Sequence, residues 1–119
     1  MWRIKNQNLY LPNLIKRTLS TEGCLNYPDG SYIFYKKRVG ENKKKPGVIF
    51  CQGYNSSLNS NKSRFVDEFC EKNRLSCLRF DYMGHEHSSG TLLEATLSSW
   101  KQNFLDVIDK LSEGKIVIN

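Results

Sequence analysis

Three short apolar runs, spaced by helix-like stretches, constrain this chain more than any other feature. They are Val48-Ile49-Phe50-Cys51, Leu75-Ser76-Cys77-Leu78-Arg79-Phe80 and Lys115-Ile116-Val117-Ile118-Asn119. None alternates cleanly between apolar and polar, as a strand with one wet face does. Short continuous runs of this kind suit strands buried on both faces of a parallel sheet. Between the first two, Asn61 or Ser63 can cap a helix running to about Asn73. Its predicted apolar face is Phe65, Val66, Phe69 and Cys70. Between the second and third, Leu97, Trp100, Phe104, Val107, Ile108 and Leu111 recur at three- and four-residue steps. That spacing predicts an amphipathic helix from about Leu93 to Ser112, with Gly114 as its stop.

Upstream, Tyr27-Pro28-Asp29-Gly30 is a turn signal leading into the aromatic run Ser31-Tyr32-Ile33-Phe34-Tyr35-Lys36, read as a further strand. The predicted order is strand, strand, helix, strand, helix, strand. Such alternation implies right-handed crossovers and an α/β fold, with a mainly parallel sheet flanked by helices. A chain of 119 residues has room for one domain.

Charge narrows the function classes. The net charge is +6, and Arg3, Lys5, Lys16 and Arg17 supply most of the excess before the first acid, Glu22. Lys36-Lys37-Arg38 and Lys43-Lys44-Lys45 flank a Gly-Glu-Asn turn without interleaved aromatics, which reads as a solvated hairpin end rather than a nucleic-acid surface. No apolar run approaches the roughly 18 residues of a membrane span. The basic, acid-free start with Thr18, Ser20 and Thr21 has the composition of a mitochondrial transit segment over residues 1–21, leaving residues 22–119 as the domain. A cytoplasmic protein with a disordered or strand-forming arm is the alternative, because Pro12 interrupts the helical pattern.

Ligands of parallel α/β sheets bind beyond the carboxyl ends of the strands. One such end is Gly53-Tyr54, where a glycine lets backbone N–H groups approach a substrate oxygen. A second is the loop from Asp81 to Gly90, containing Gly84-His85-Glu86-His87-Ser88. His85 and His87 form an H-x-H pair, but with so few further ligands a solvated turn is the expectation and no metal is assigned. Cys24, Cys51, Cys70 and Cys77 form no C-x-x-C pair and read as reduced thiols, three of them buried. No serine in the 119 residues stands in a Gly-x-Ser-x-Gly turn, and both histidines precede the place where such a turn would fall. A phosphate-binding glycine loop is also missing, so an unrelated redox or flavodoxin-like domain is a distant reading.

The order Pro46-Gly47-Val48-Ile49-Phe50-x-x-Gly53-Tyr54, then Arg79-Phe80-Asp81-Tyr82-x-Gly84, Ser88-x-Gly90 and Glu94-x-Thr96-Leu97-x-x-Trp100, resembles the α/β-hydrolase superfamily. Within it, the similarity is to a family of mitochondrial serine hydrolases that act as palmitoyl-protein thioesterases and acyl-glucuronide esterases. The resemblance covers about Leu25 to Ile118. It implies an N-terminal portion of the hydrolase fold, with Gly53 and Tyr54 as the oxyanion-hole loop and the Tyr54 N–H as donor. It further implies that Asp81, Gly84 and Ser88 shape the active site beside it. Glu86 departs from the family's glycine in this turn. The implied substrates are S-acylated proteins or small acyl esters, with no cofactor, and the Ser, Asp and His triad falls beyond Asn119. The 119 residues alone are therefore expected to be inactive, either as a truncated part of an enzyme or, alternatively, as a non-catalytic binding or regulatory module.

Overall fold

The computed structural model describes residues 20–41, 44–112 and 116–118. Residues 1–19 of the proposed transit segment, Lys43, Gly114 and Asn119 lie outside them, while Ser20 and Thr21 of that segment are described. Strands β1 (Ser20–Asn26), β2 (Tyr32–Arg38) and β3 (Gly47–Phe50) come first. Helix α1 (Asn61–Lys72), strand β4 (Cys77–Phe80), helix α2 (Leu97–Leu111) and strand β5 (Ile116–Ile118) follow. The sheet order is β1-β2-β4-β3-β5. Strand β3 runs parallel to both β4 and β5, the crossover arrangement that the apolar runs predict. Strands β1 and β2 extend this parallel unit as an antiparallel edge, with β2 against β4.

The hairpin turns where the sequence places a turn. Asp29 accepts hydrogen bonds from the Ser31 N–H and hydroxyl, and Gly30 takes a φ of +91°, which costs least without a Cβ. Strand β1 was not anticipated. Its sequence, Ser-Thr-Glu-Gly-Cys-Leu-Asn, carries little apolar signal because it is a mostly exposed edge paired on one side only.

The two faces of the sheet are covered by different physics. On one, Val107 of α2 packs with Ile33, Ile49, Leu78 and Phe80, all buried, and Phe104, Ile108 and Leu111 close the rim. Every buried methylene there contributes about 0.8 kcal/mol. Helix α2 starts at Leu97, later than expected. Thr96 caps it in a reciprocal capping box with Ser99, and Leu93 is left exposed in the preceding loop.

On the other face the predicted apolar stripe of α1 is corrected. Phe65 is 69% exposed and Phe69 51% exposed; of the predicted stripe only Cys70 is buried and Val66 half-buried, and Ser63 is buried with them. The helix turns Ser63, Asp67 and Cys70 inward because the strands beneath present buried Arg38 and Arg79, which need an anion. Arg38 grips Asp67 through Nε and Nη2 at 3.0 and 2.9 Å and reaches Glu71 at 3.6 Å. Arg79 lies 3.6 Å from Asp67 and donates to the Leu58 carbonyl at 2.9 Å. Arg38 is thus a buried docking residue and not part of a solvated hairpin end. Cys70 and Cys77 are buried beside each other in the same layer. The α1 cap is Ser60, whose hydroxyl accepts the Ser63 N–H.

Tyr27 ties the hairpin to α2 by donating to Asp106 at 2.6 Å. Burial, and then this bond, hold its phenol above the ordinary tyrosine range. A value raised on folding leaves stability unchanged below the unfolded tyrosine value, about pH 10, and erodes it above. Urea melts repeated from neutral to strongly alkaline pH should show this fall, and Tyr27→Phe should flatten it. An unchanged alkaline slope in the variant would mean Tyr27 does not carry the effect.

Candidate active site

At the carboxyl ends of β3 and β4 two loops meet, and Asp81 joins them. It is fully buried and accepts four hydrogen bonds. Oδ1 takes the Gln52 amide at 3.0 Å and the Leu58 N–H at 2.8 Å; Oδ2 takes the His87 N–H and lies against His87 Nδ1, both at 3.1 Å. The residue that follows β4 therefore fixes both the Gly53–Leu58 loop and its own loop. Ser88 is buried as well, and its hydroxyl donates to the Asp81 carbonyl and accepts the Phe34 N–H at 2.8 Å, pinning the loop to β2.

Gly84 has a φ of +85°, and a Cβ there would stand 2.8 Å from the Thr91 carbonyl oxygen, so this position requires glycine. Glu86 is exposed and is not among the residues with positive φ, so the departure from glycine is accommodated without left-handed backbone. At Gly53 a Cβ would meet no atom within 4 Å. Its own packing does not demand glycine; the space above it is open. No hydrogen bond among the described residues takes up the Tyr54 N–H, while its ring is 72% exposed.

The structure brings Gly53 and Tyr54 to one wall of a cavity of about 560 Å³. Tyr82, Leu97, Trp100 and Phe104 line the rest, with Gln52, His85, Ser98 and Lys101 as polar groups. Asp81, Gly84 and Ser88 do not line it; they stand behind it as supports. Burial pushes the Cys51 thiol up, which disfavours its nucleophilic thiolate form.

The solvated-turn reading of the two histidines is corrected. His87 is partly exposed and packs on Phe34 with ring centroids 5.0 Å apart, but His85 is only 4% exposed. His85 Nε2 accepts the Asn55 N–H at 2.9 Å, and its ring sits among Tyr54, Tyr82 and Trp100. A second anchor escaped the sequence reading. Asn103, buried on the inward side of α2, accepts the Met83 N–H at 2.9 Å, and Trp100 Nε1 donates to the Met83 carbonyl at 3.0 Å. A polar residue on an otherwise apolar helix face was the available signal. Among the described residues no group of three His, Cys, Asp or Glu is placed to hold a metal.

A parallel β4-β3-β5 unit with loops converging beyond β3 and β4 defines part of an α/β-hydrolase fold. Among solved structures, the α/β-hydrolase domain-containing protein 10 from mouse superposes with a TM-score of 0.76 at 34% identity, over 82% of this chain and 38% of that one. A hydrolase of Agrobacterium vitis gives 0.77 at 24% identity, a likeness of fold alone. In sequence, the chain is homologous to palmitoyl-protein thioesterase ABHD10, mitochondrial, of Homo sapiens, at 40% identity over 94 residues, and to that of Bos taurus at 38%. The match takes in 79% of this chain and 30% of each relative, so the chain spans less than a third of their length. No family model matches it.

Proposed function

We propose that these residues form the oxyanion side of a serine hydrolase site, in a mitochondrial enzyme that cleaves acyl thioesters and acyl-glucuronide esters. One observation carries the reading: Tyr54, beyond the carboxyl end of β3, lines an apolar cavity, and its N–H has no hydrogen-bond partner among the described residues. An acyl chain suits such walls, and an N–H fixed in place suits the oxygen on which negative charge develops. Gly53 keeps the approach open, and Asp81, Gly84 and Ser88 hold the loops behind it.

Strand β5 runs parallel beside β3, so both strands point toward the cavity end of the sheet. A Gly-x-Ser-x-Gly turn following β5 would bring a serine there, with its histidine and acid from later in the chain. Serine then attacks the acyl carbon, and the resulting oxyanion accepts from Tyr54 N–H and from the residue after the serine. The thiol or sugar hydroxyl leaves with the proton relayed by histidine, and water releases the acid. The names of the relatives and the basic, acid-free first 21 residues support the mitochondrial placement, with the matrix as the compartment.

The test uses a protein that continues this sequence through such a turn, beside the 119-residue chain. The longer protein is expected to hydrolyse palmitoyl thioester and to be labelled by a fluorophosphonate, and the 119-residue chain to do neither. Tyr54→Pro, which deletes the N–H, should lower kcat about 100-fold with little change in KM. Labelling of the 119-residue chain at a serine overturns its inactivity, and an unchanged kcat in the proline variant removes Tyr54 as donor. A reporter fused behind residues 1–21 that stays diffuse in cells counts against mitochondrial import.

A further inference from the structure

The Tyr54 N–H is useful to catalysis only if the turn carrying it is held still, and that turn has one hydrogen bond of its own, from the Ser56 N–H to the Gly53 carbonyl at 3.2 Å. We infer that His85 is the positioning residue that latches it, acting as a neutral hydrogen-bond acceptor; this rests on the oxyanion reading given above. The following residue, Asn55, takes a φ of 56°, a left-handed conformation that asparagine tolerates better than most residues. Its N–H, the neighbour of the proposed donor, points at His85 Nε2 at 2.9 Å.

A backbone N–H can only donate, so Nε2 must carry a lone pair. The ring proton then sits on Nδ1, which faces the Met83 carbonyl at 3.4 Å. That same carbonyl receives the Trp100 indole N–H, and the Met83 N–H is held by Asn103. The contacts form one continuous path: helix α2 holds Met83, Met83 orients the imidazole, and the imidazole holds Asn55. Tyr82 and Trp100 pack against the ring, with centroids 6.2 and 5.4 Å away, and leave it little freedom to turn.

The latch differs in kind from the support given by Asp81. Asp81 grips the loop at Gln52 and Leu58, on either side of the turn. His85 grips the turn itself, one residue from the donor. A second proton on the ring would turn Nε2 into a donor facing the Asn55 N–H and would break the contact.

Substitution separates this role from simple packing. His85→Gln places an amide oxygen near the position of Nε2 and keeps an acceptor. His85→Leu fills the space without one. In ¹⁵N spectra of the 119-residue chain, His85 should show a pyridine-like Nε2 and a protonated Nδ1. Protection of the Asn55 amide from exchange should fall on the order of 10-fold in His85→Leu and be largely retained in His85→Gln. A protonated Nε2, or equal protection of Asn55 in the two variants, overturns the latch whatever the protein catalyses.

Kinetics in the longer, fluorophosphonate-reactive protein read the second half of the inference, and do so even if the short chain unfolds. His85→Leu should lower kcat several-fold with KM near its original value, and His85→Gln should restore most of it. A kcat that does not distinguish leucine from glutamine overturns the positioning role while leaving the hydrolase assignment intact. Loss of labelling by the unsubstituted protein is failure of the hydrolase assignment itself.

Discussion

Asp67→Ala is expected to cost about 3–5 kcal/mol of folding stability, because it leaves two buried guanidinium groups without their shared anion. The side chains of Arg38, Arg79 and Asp67 are only 10%, 7% and 16% exposed, so water cannot readily take the place of the carboxylate. Arg38 holds it with two parallel bonds, a geometry stronger than a single contact. The loss rivals the whole stability of many domains of this size, about 5–15 kcal/mol. Urea denaturation checks it, with a double variant as control. Arg38→Met with Asp67→Leu removes a charge along with its partner, and Arg79 retains its bonds to Leu58 and Ser63. The double variant should therefore be more stable than Asp67→Ala alone. A cost below about 1 kcal/mol for Asp67→Ala would put the network in the class of solvent-screened pairs.

Asp81→Ala should be nearly as damaging, and its damage should fall on the candidate site. Four donors converge on this carboxylate, and each buried donor left without an acceptor costs about 1–3 kcal/mol. Some recover by shifting toward the space vacated, so the expected total is about 3–4 kcal/mol rather than the full sum. Asp81→Asn is the more informative change. One side of an amide can still accept from Gln52 and Leu58, but the other then presents N–H₂ to the His87 N–H. The asparagine variant should keep the Leu58 amide protected from exchange and expose that of His87. Equal protection of both amides in Asp81→Asn would show that the carboxylate does not join the two loops as described.

Much of this organisation was legible from residue order. The runs at Val48–Cys51 and Leu75–Phe80 announced β3 and β4 because strands covered on both faces need little besides apolar side chains. The spacing from Leu97 to Leu111 announced α2 because one side of that helix meets a true apolar core. What escaped had a common physical cause: its burial is decided by a distant partner. Phe65 and Phe69 looked like an inward stripe, yet the arginines on β2 and β4 turned Asp67 inward. His85 sits in Gly-His-Glu-His-Ser, which reads locally as a wet turn, and it is buried because Asn55, thirty residues earlier, offers it an N–H. Strand β1 exists by pairing with β2 rather than by its own apolar content. The loops at Gly53–Tyr54 and Asp81–Ser88 were placed correctly at the strand ends, but their division of labour was not readable. That the first lines the cavity while Asp81 and Ser88 stand behind it is decided by tertiary contacts far apart in sequence.

The contrast at Tyr54, a 72% exposed ring on a backbone gripped from both sides, has a consequence for substitution at this position. The backbone here is held by Asp81 and His85, while the Tyr54 ring itself packs edge-on against His85 and Trp100. Under the oxyanion reading proposed above, a change of the Tyr54 ring would alter the cavity wall and, through His85, the hold on the neighbouring Asn55 N–H. Ring and amide of this one residue would then be coupled through the imidazole rather than independent of each other.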